Sequence, residues 1–168
     1  MNFKLLSVTQ EDLTEYKNDL QDAFQKGAAA EFTDLDTEIL TEKEIDKVLS
    51  KTGTVAYKAI VDGEMIGGAI VLIEEETQHN HLDFLYVKYE TQIRGVGQAI
   101  WNEIEKLQPE TKVWETLIPY FEKRNIHFYV NHCGFHIVEF FNPYHKDPNI
   151  SEDMVGADYC FRFEKKMM

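Results

Sequence analysis

Between residues 81 and 107 the chain passes from an apolar strand, through two closely spaced glycines, directly into a helix. The strand reads His81-Leu82-Asp83-Phe84-Leu85-Tyr86-Val87 and the turn Gln92-Ile93-Arg94-Gly95-Val96-Gly97. The helix reads Gln98-Ala99-Ile100-Trp101-Asn102-Glu103-Ile104-Glu105-Lys106-Leu107, with Val96, Ile100, Ile104 and Leu107 on one stripe. A run of this kind demands a sheet with a helix packed back onto it, and it sets the chemistry of the junction. The first N–H groups of a helix have no internal partner, and glycines let backbone approach a ligand closely. Together with the positive end of the helix dipole they suit a phosphate or pyrophosphate.

The rest of the chain supplies the other layers. Lys4 to Val8 reads as a first strand, and Thr9 with Asp12 resembles a capping box. Leu13, Tyr16, Leu20 and Phe24 then recur at helical spacing, with Gly27 as a stop. Thr41 and Glu44 open a second helix carrying Ile45, Val48 and Leu49. Strands at Thr54–Val61 and Met65–Glu74 flank Asp62-Gly63-Glu64, a hairpin signal. Gly67-Gly68 inside the second of these strands predicts a bulge or a close backbone approach. After the glycine loop and its helix come a strand over Lys112–Thr116 and a helix opened by Pro119 and capped by Gly134. Phe121, Asn125, Phe128 and His132 share one face of that helix. Strands at Phe135–Phe141 and Asp158–Glu164 enclose a long loop bounded by Asn142-Pro143 and Asp147-Pro148. The order β-α-α-β-β-β-α-β-α-β-β is α+β with a mixed sheet. We expect one domain over residues 1–168, without repeats or a low-complexity linker.

Composition narrows the function. A net charge of −13 argues against non-specific binding to nucleic acid or to an anionic membrane surface, and permits steering of a cationic amine. Cys133 and Cys160 are too few for a disulfide framework or a zinc site. The histidines lack metal spacing, so no metal is expected. No stretch approaches a membrane span, and residues 1–8 are too short an apolar run for a signal peptide. We therefore expect a cytoplasmic protein. No Gly-x-Ser-x-Gly elbow and no Walker loop is present.

The Gln-x-x-Gly-x-Gly run, in this strand–helix context, resembles the acyl-CoA pyrophosphate loop of the GNAT superfamily of N-acyltransferases. Asn125-Ile126-His127-Phe128-Tyr129 followed by Cys133-Gly134-Phe135 is similar to that superfamily's fourth-helix segment, and the element order fits over most of the chain. The resemblance implies a mostly antiparallel sheet flanked by helices on both faces. It implies transfer of an acetyl group from acetyl-CoA to a primary amine, by direct attack in a ternary complex. The amine is expected to be a small molecule or a peptide.

Site residues follow from the same resemblance. The amides from Ile93 to Gln98 (Ile93, Arg94, Gly95, Val96, Gly97, Gln98) would form a nest for the pyrophosphate, with Gln92 and Arg94 adding polar contacts. Leu85, Tyr86 and Val87 fall where the preceding strand pairs with the pantetheine arm, and Asn125 lies on the facing helix. His81 falls where many members carry a Glu or His at the start of this strand, a position suited to a general base. Asp83, two residues on, shares its strand face and could orient His81 or hold a cationic substrate. Tyr129 resembles the tyrosine that faces the thiolate, but four residues separate it from Gly134-Phe135 where three are usual, and one extra residue rotates a helical position by ~100°. A local bulge would restore the register. A non-catalytic module that binds CoA or an acyl-CoA, and an interaction protein without cofactor, stand as alternatives. An exposed sheet edge could support a homodimer, as in many members.

Overall fold

The computed structural model describes residues 2–30, 37–91, 93–149 and 158–168. The acidic stretch at residues 31–38, whose sequence reads as irregular, therefore lies largely outside them, as do Gln92 and the second half of the long loop.

Seven strands form one sheet. They are β1 (Phe3–Ser7), β2 (Thr54–Val61), β3 (Glu64–Leu72), β4 (His79–Val87), β5 (Val113–Pro119), β6 (His136–Phe141) and β7 (Cys160–Lys166). The spatial order is β1-β2-β3-β4-β5-β7-β6. Neighbours are antiparallel except β4 and β5, which run parallel. The helices are α1 (Leu13–Ala29), α2 (Glu42–Leu49), α3 (Val96–Leu107) and α4 (Lys123–His127). This is the α+β architecture expected from the sequence.

Each face of the sheet has its own core. Tyr16 and Leu20 of α1 and Ile45 of α2 bury against Ile70 and Tyr86 on one face. On the other, Val96, Ile100, Trp101 and Ile104 of α3 bury against Leu82 and Trp114. The rings of Trp101 and Trp114 meet edge to face at 5.2 Å. Residues 145–149, after β6, line a cavity together with Glu115 and Leu117 of β5, Glu139 and Phe141 of β6 and Arg162 of β7.

The paired glycines of β3 serve close approach. A Cβ on Gly68 would lie 2.7 Å from the Tyr16 ring and one on Gly67 would lie 2.5 Å from the Tyr86 carbonyl oxygen. The register also shifts between Ala59 and Ile60, so this part of β3 carries a bulge. The Thr41 hydroxyl accepts the Glu44 N–H at 3.1 Å and caps α2 as expected.

Strand ends shift by up to three residues from the sequence reading, and two helix boundaries differ for a physical reason. Gly27 does not stop α1, which runs on to Ala29. Pro119 ends β5, paired with Cys160, instead of opening a helix, and α4 begins at Lys123. A proline fits a strand end as well as a first helical turn, because both tolerate its missing N–H. Residues Phe128–His132 form a π-helical turn that extends α4.

Candidate active site

Two cavities lie along β4, each lined by different residues of it. The strands β4 and β5 pair only through His79, Asn80 and His81 with Val113, Trp114 and Glu115. Both continue past that point, to Val87 and Pro119, but apart. The Thr116 hydroxyl donates to the Leu82 carbonyl at 2.9 Å just where they separate. Opposite this split, Leu82 pairs with Val71 and Phe84 with Ile70, so Asp83 is the extra residue of a β-bulge.

The first cavity is a cleft of about 1030 Å³ between the end of β4, the start of α3, and α4. Leu85, Tyr86, Val87, Arg94, Gly95, Gly97, Gln98 and Asn125 line it, together with Glu122 and Phe128. Gly95 caps α3 at φ 82°, a left-handed conformation that a side chain resists, and makes no side-chain cap. The first amides of α3 thus keep their free hydrogens at the cleft. A Cβ on Gly97 would stand 3.3 Å from Phe128, so the second glycine keeps the gap to α4 open. Ile93 is exposed, and the Val96 side chain lies in the core. Those two can contribute only backbone to an anion.

Glu122 was not singled out by the sequence reading. It lines the cleft and accepts a hydrogen bond from the Asn125 amide at 3.3 Å. Burial pushes its carboxyl up to about 7.

The second cavity, about 720 Å³, opens on the sheet face away from α3. His81 and Asp83 both line it. No hydrogen bond joins them. The His81 partner is Glu115, its Oε2 3.1 Å from Nδ1, reached across the only parallel pair of the described sheet. That bond raises His81 above the ordinary histidine value, and Glu115 is held down to about 2 by His81 first and Arg162 second. The Arg162 guanidinium also binds Glu139 at 2.9 Å and Glu164 at 2.7 Å. Burial moves Asp83 above the usual carboxylate range, while Lys51 and His81 pull it down. Its Oδ2 is buried without a hydrogen-bond partner.

Among the described residues, His79, Glu115 and Glu164 are the one group that brings three metal-type ligand atoms within 4.8 Å of one another. Arg162 Nη1 already bridges those carboxylates at 2.8 and 2.7 Å, supplying the positive charge a metal would bring.

The model of the acetyltransferase (GNAT) family matches residues 13–135, most of the chain, including the strand, the glycine loop and α4. The chain belongs to the GNAT family. Its acyltransferase chemistry follows from that membership. The uncharacterized protein YrkN of Bacillus subtilis (strain 168) is 41% identical over 166 residues, covering 94% of this chain and 90% of its own. The ribosomal-protein-S18-alanine N-acetyltransferase of Escherichia coli superposes with a TM-score of 0.72 at 14% identity, covering 98% of this chain and 94% of that one. The PaiA N-acetyltransferase of Thermoplasma acidophilum, solved with coenzyme A, gives 0.70 at 17% identity, covering 99% and 100%. At such identities the two structures establish the fold.

In this GNAT chain the extra residue before Gly134-Phe135 has a structural counterpart. The Cys133 N–H bonds to the Phe128 carbonyl, five residues back, at 3.1 Å. A π-helical turn takes up one inserted residue in this way. Phe128 faces the cleft, while Tyr129 sits deeper, ring to ring with Phe135 and Phe163. Burial holds its phenol far above the ordinary tyrosine value.

Proposed function

We propose that this protein transfers an acetyl group from acetyl-CoA to a primary amine, by direct attack within a ternary complex. One observation carries the reading: an anion cradle at the start of α3 and a histidine–carboxylate pair occupy separate cavities on the same strand, on either side of the β4–β5 split.

The residues of the cleft fit a CoA thioester. The amides from Ile93 to Gln98 face a pyrophosphate, Arg94 adds a cation, and Gly97 leaves room beside Phe128. The unpaired edge of β4 from Leu85 to Val87 offers backbone groups to the pantetheine amides. Acetyl-CoA would supply there the activated carbonyl carbon. On the other side, Asp83 receives the amine as an ammonium. His81 takes its proton at Nε2, since Nδ1–H is committed to Glu115. The free amine nitrogen then bonds the carbonyl carbon as the carbon–sulfur bond breaks. Tyr129, protonated at neutral pH, gives the departing sulfur its proton, and the second proton shed by the acetylated nitrogen restores the phenol.

Amine-dependent release of the CoA thiol tests this. We expect release from acetyl-CoA with at least one small primary amine and little release without one. Saturable acetyl-CoA binding without release over a broad amine panel would instead make the protein a CoA-binding sensor.

A further inference from the structure

The charges of the second cavity restrict what its acceptor can be. Most are matched internally. Arg162 takes Glu115 and Glu139, and His145 Nε2 lies 2.6 Å from Glu139. The Asp147 carboxylate accepts the Asn149 N–H at 2.8 Å. What remains is asymmetric. At the strand end of the cavity, next to His81, is the buried unpartnered oxygen of Asp83. Lys51, whose charge reaches Asp83, and Lys146 line the same cavity, both exposed and both without an ion pair among the described residues. Leu72, Leu117 and Phe141 add apolar wall to the cavity.

A ligand that satisfies this arrangement carries an ammonium, a carboxylate and a short apolar body. A polyamine would press its second ammonium towards Lys51 and Lys146, a like-charge contact. A volume of about 720 Å³ is of small-molecule size.

We infer that the acceptor is a small aliphatic aminocarboxylate, its ammonium at Asp83 and His81 and its carboxylate at Lys51 and Lys146. This rests on the acetyl-transfer reading above and goes further by naming the substrate class. The amine nitrogen gives its proton to His81 and bonds the acetyl carbon, while the carboxylate takes no part in the bonds made or broken. Its contribution is to binding and orientation.

The test compares leucine with isopentylamine, the same amine without the carboxylate, and with spermidine, by initial rates of CoA thiol release. Charge-assisted contacts to the carboxylate predict a kcat/KM for leucine at least about tenfold above that for isopentylamine. In Lys51→Glu and Lys146→Glu, singly and combined, that ratio should fall and the rate with spermidine should rise. Both lysines are exposed, so these variants should fold, which circular dichroism checks. A preference for isopentylamine or spermidine in the wild type, or a ratio untouched by the lysine variants, overturns the aminocarboxylate assignment and leaves acetyl transfer standing. Release with no amine at all overturns both.

Discussion

His81 and Glu115 form a hydrogen-bonded pair at 3.1 Å, and Glu115 also accepts from Arg162 at 2.8 Å. The carboxylate is thereby anchored on one side while it orients the ring on the other. An imidazole held this way keeps Nδ1 as the donor and presents Nε2 as the base.

The pair makes a prediction about pH. Because Glu115 raises His81 above its ordinary 6.5, the neutral ring appears only at higher pH. Activity should therefore climb on a limb whose midpoint lies above 6.5. Glu115→Gln removes the largest cause of the shift and should move that limb to lower pH. His81→Ala should lower kcat/KM by about 10²–10⁴ and abolish the limb. A pH–rate profile of the three proteins decides. An unaltered limb in His81→Ala removes it from the base role.

The same pair sets acid stability. Glu115 is lowered from 4.5 to about 2, so its stabilising contribution is present above 4.5 and is lost as the pH falls towards 2. The His81 contribution has the opposite sense, being present below 6.5 and lost as the pH rises through its raised value. Urea unfolding between pH 5 and pH 2 should show stability falling with pH, and the fall should be shallower in Glu115→Gln. Parallel curves for the two proteins would mean the pair does not form in solution.

The glycine loop separates conformation from space. Gly95→Ala must place a side chain at φ 82°, costing about 1–2 kcal/mol. For a chain of this size that is about 2–4 °C of Tm per kcal/mol. Gly97→Glu fills the gap beside Phe128 and brings a negative charge to the anion cradle. It should fold yet lose the thermal shift that saturating acetyl-CoA gives the wild type, about 2.7 kcal/mol at a hundred times the dissociation constant. A full shift in Gly97→Glu would place the cofactor elsewhere.

Much of this was legible in the chain. The glycine pair, its flanking strand and helix, and the hairpin at Asp62-Gly63 are local signals that decide their own conformation. So the fold class, and the positions of His81, Asp83 and the loop, could be read directly. Glu115 could not, because its meeting with His81 depends on the register of a parallel pair between residues 34 apart in sequence. Arg162 joins through another strand for the same reason. Glu122 carries no motif, and only its burial makes it unusual. The departure in spacing after Tyr129 was visible, but whether a π turn or a rotated helix would absorb it depends on packing against Phe135 and Phe163.

Glu122 gives a further prediction. With its carboxyl held at about 7 inside the cleft, it ionises as the pH rises through neutrality. Lys123 and Arg124 beside it, Lys88, Tyr89, Arg94 and His132 around the cleft, and the buried phenol of Tyr129 and thiol of Cys160 are other titratable groups near it. A new negative charge near an anionic ligand should weaken acetyl-CoA binding, about fivefold for a penalty of about 1 kcal/mol. Glu122→Gln should bind with an affinity that is flat from pH 6 to pH 8. Calorimetric titrations at several pH values check this, and the same slope in both proteins would contradict it.

Tyr129→Phe keeps the ring packing and removes only the hydroxyl. If Tyr129 protonates the departing sulfur, kcat should fall by about 10²-fold or more with acetyl-CoA affinity unchanged. An unchanged kcat would leave Tyr129 as a core aromatic of the π turn.

The measurement that bears most directly on the whole account is mass spectrometry of the products formed by purified protein, acetyl-CoA and leucine. The account predicts N-acetylleucine in step with free CoA, lost in His81→Ala. Acetyl-CoA that binds but stays intact beside leucine and every other primary amine tried would contradict it.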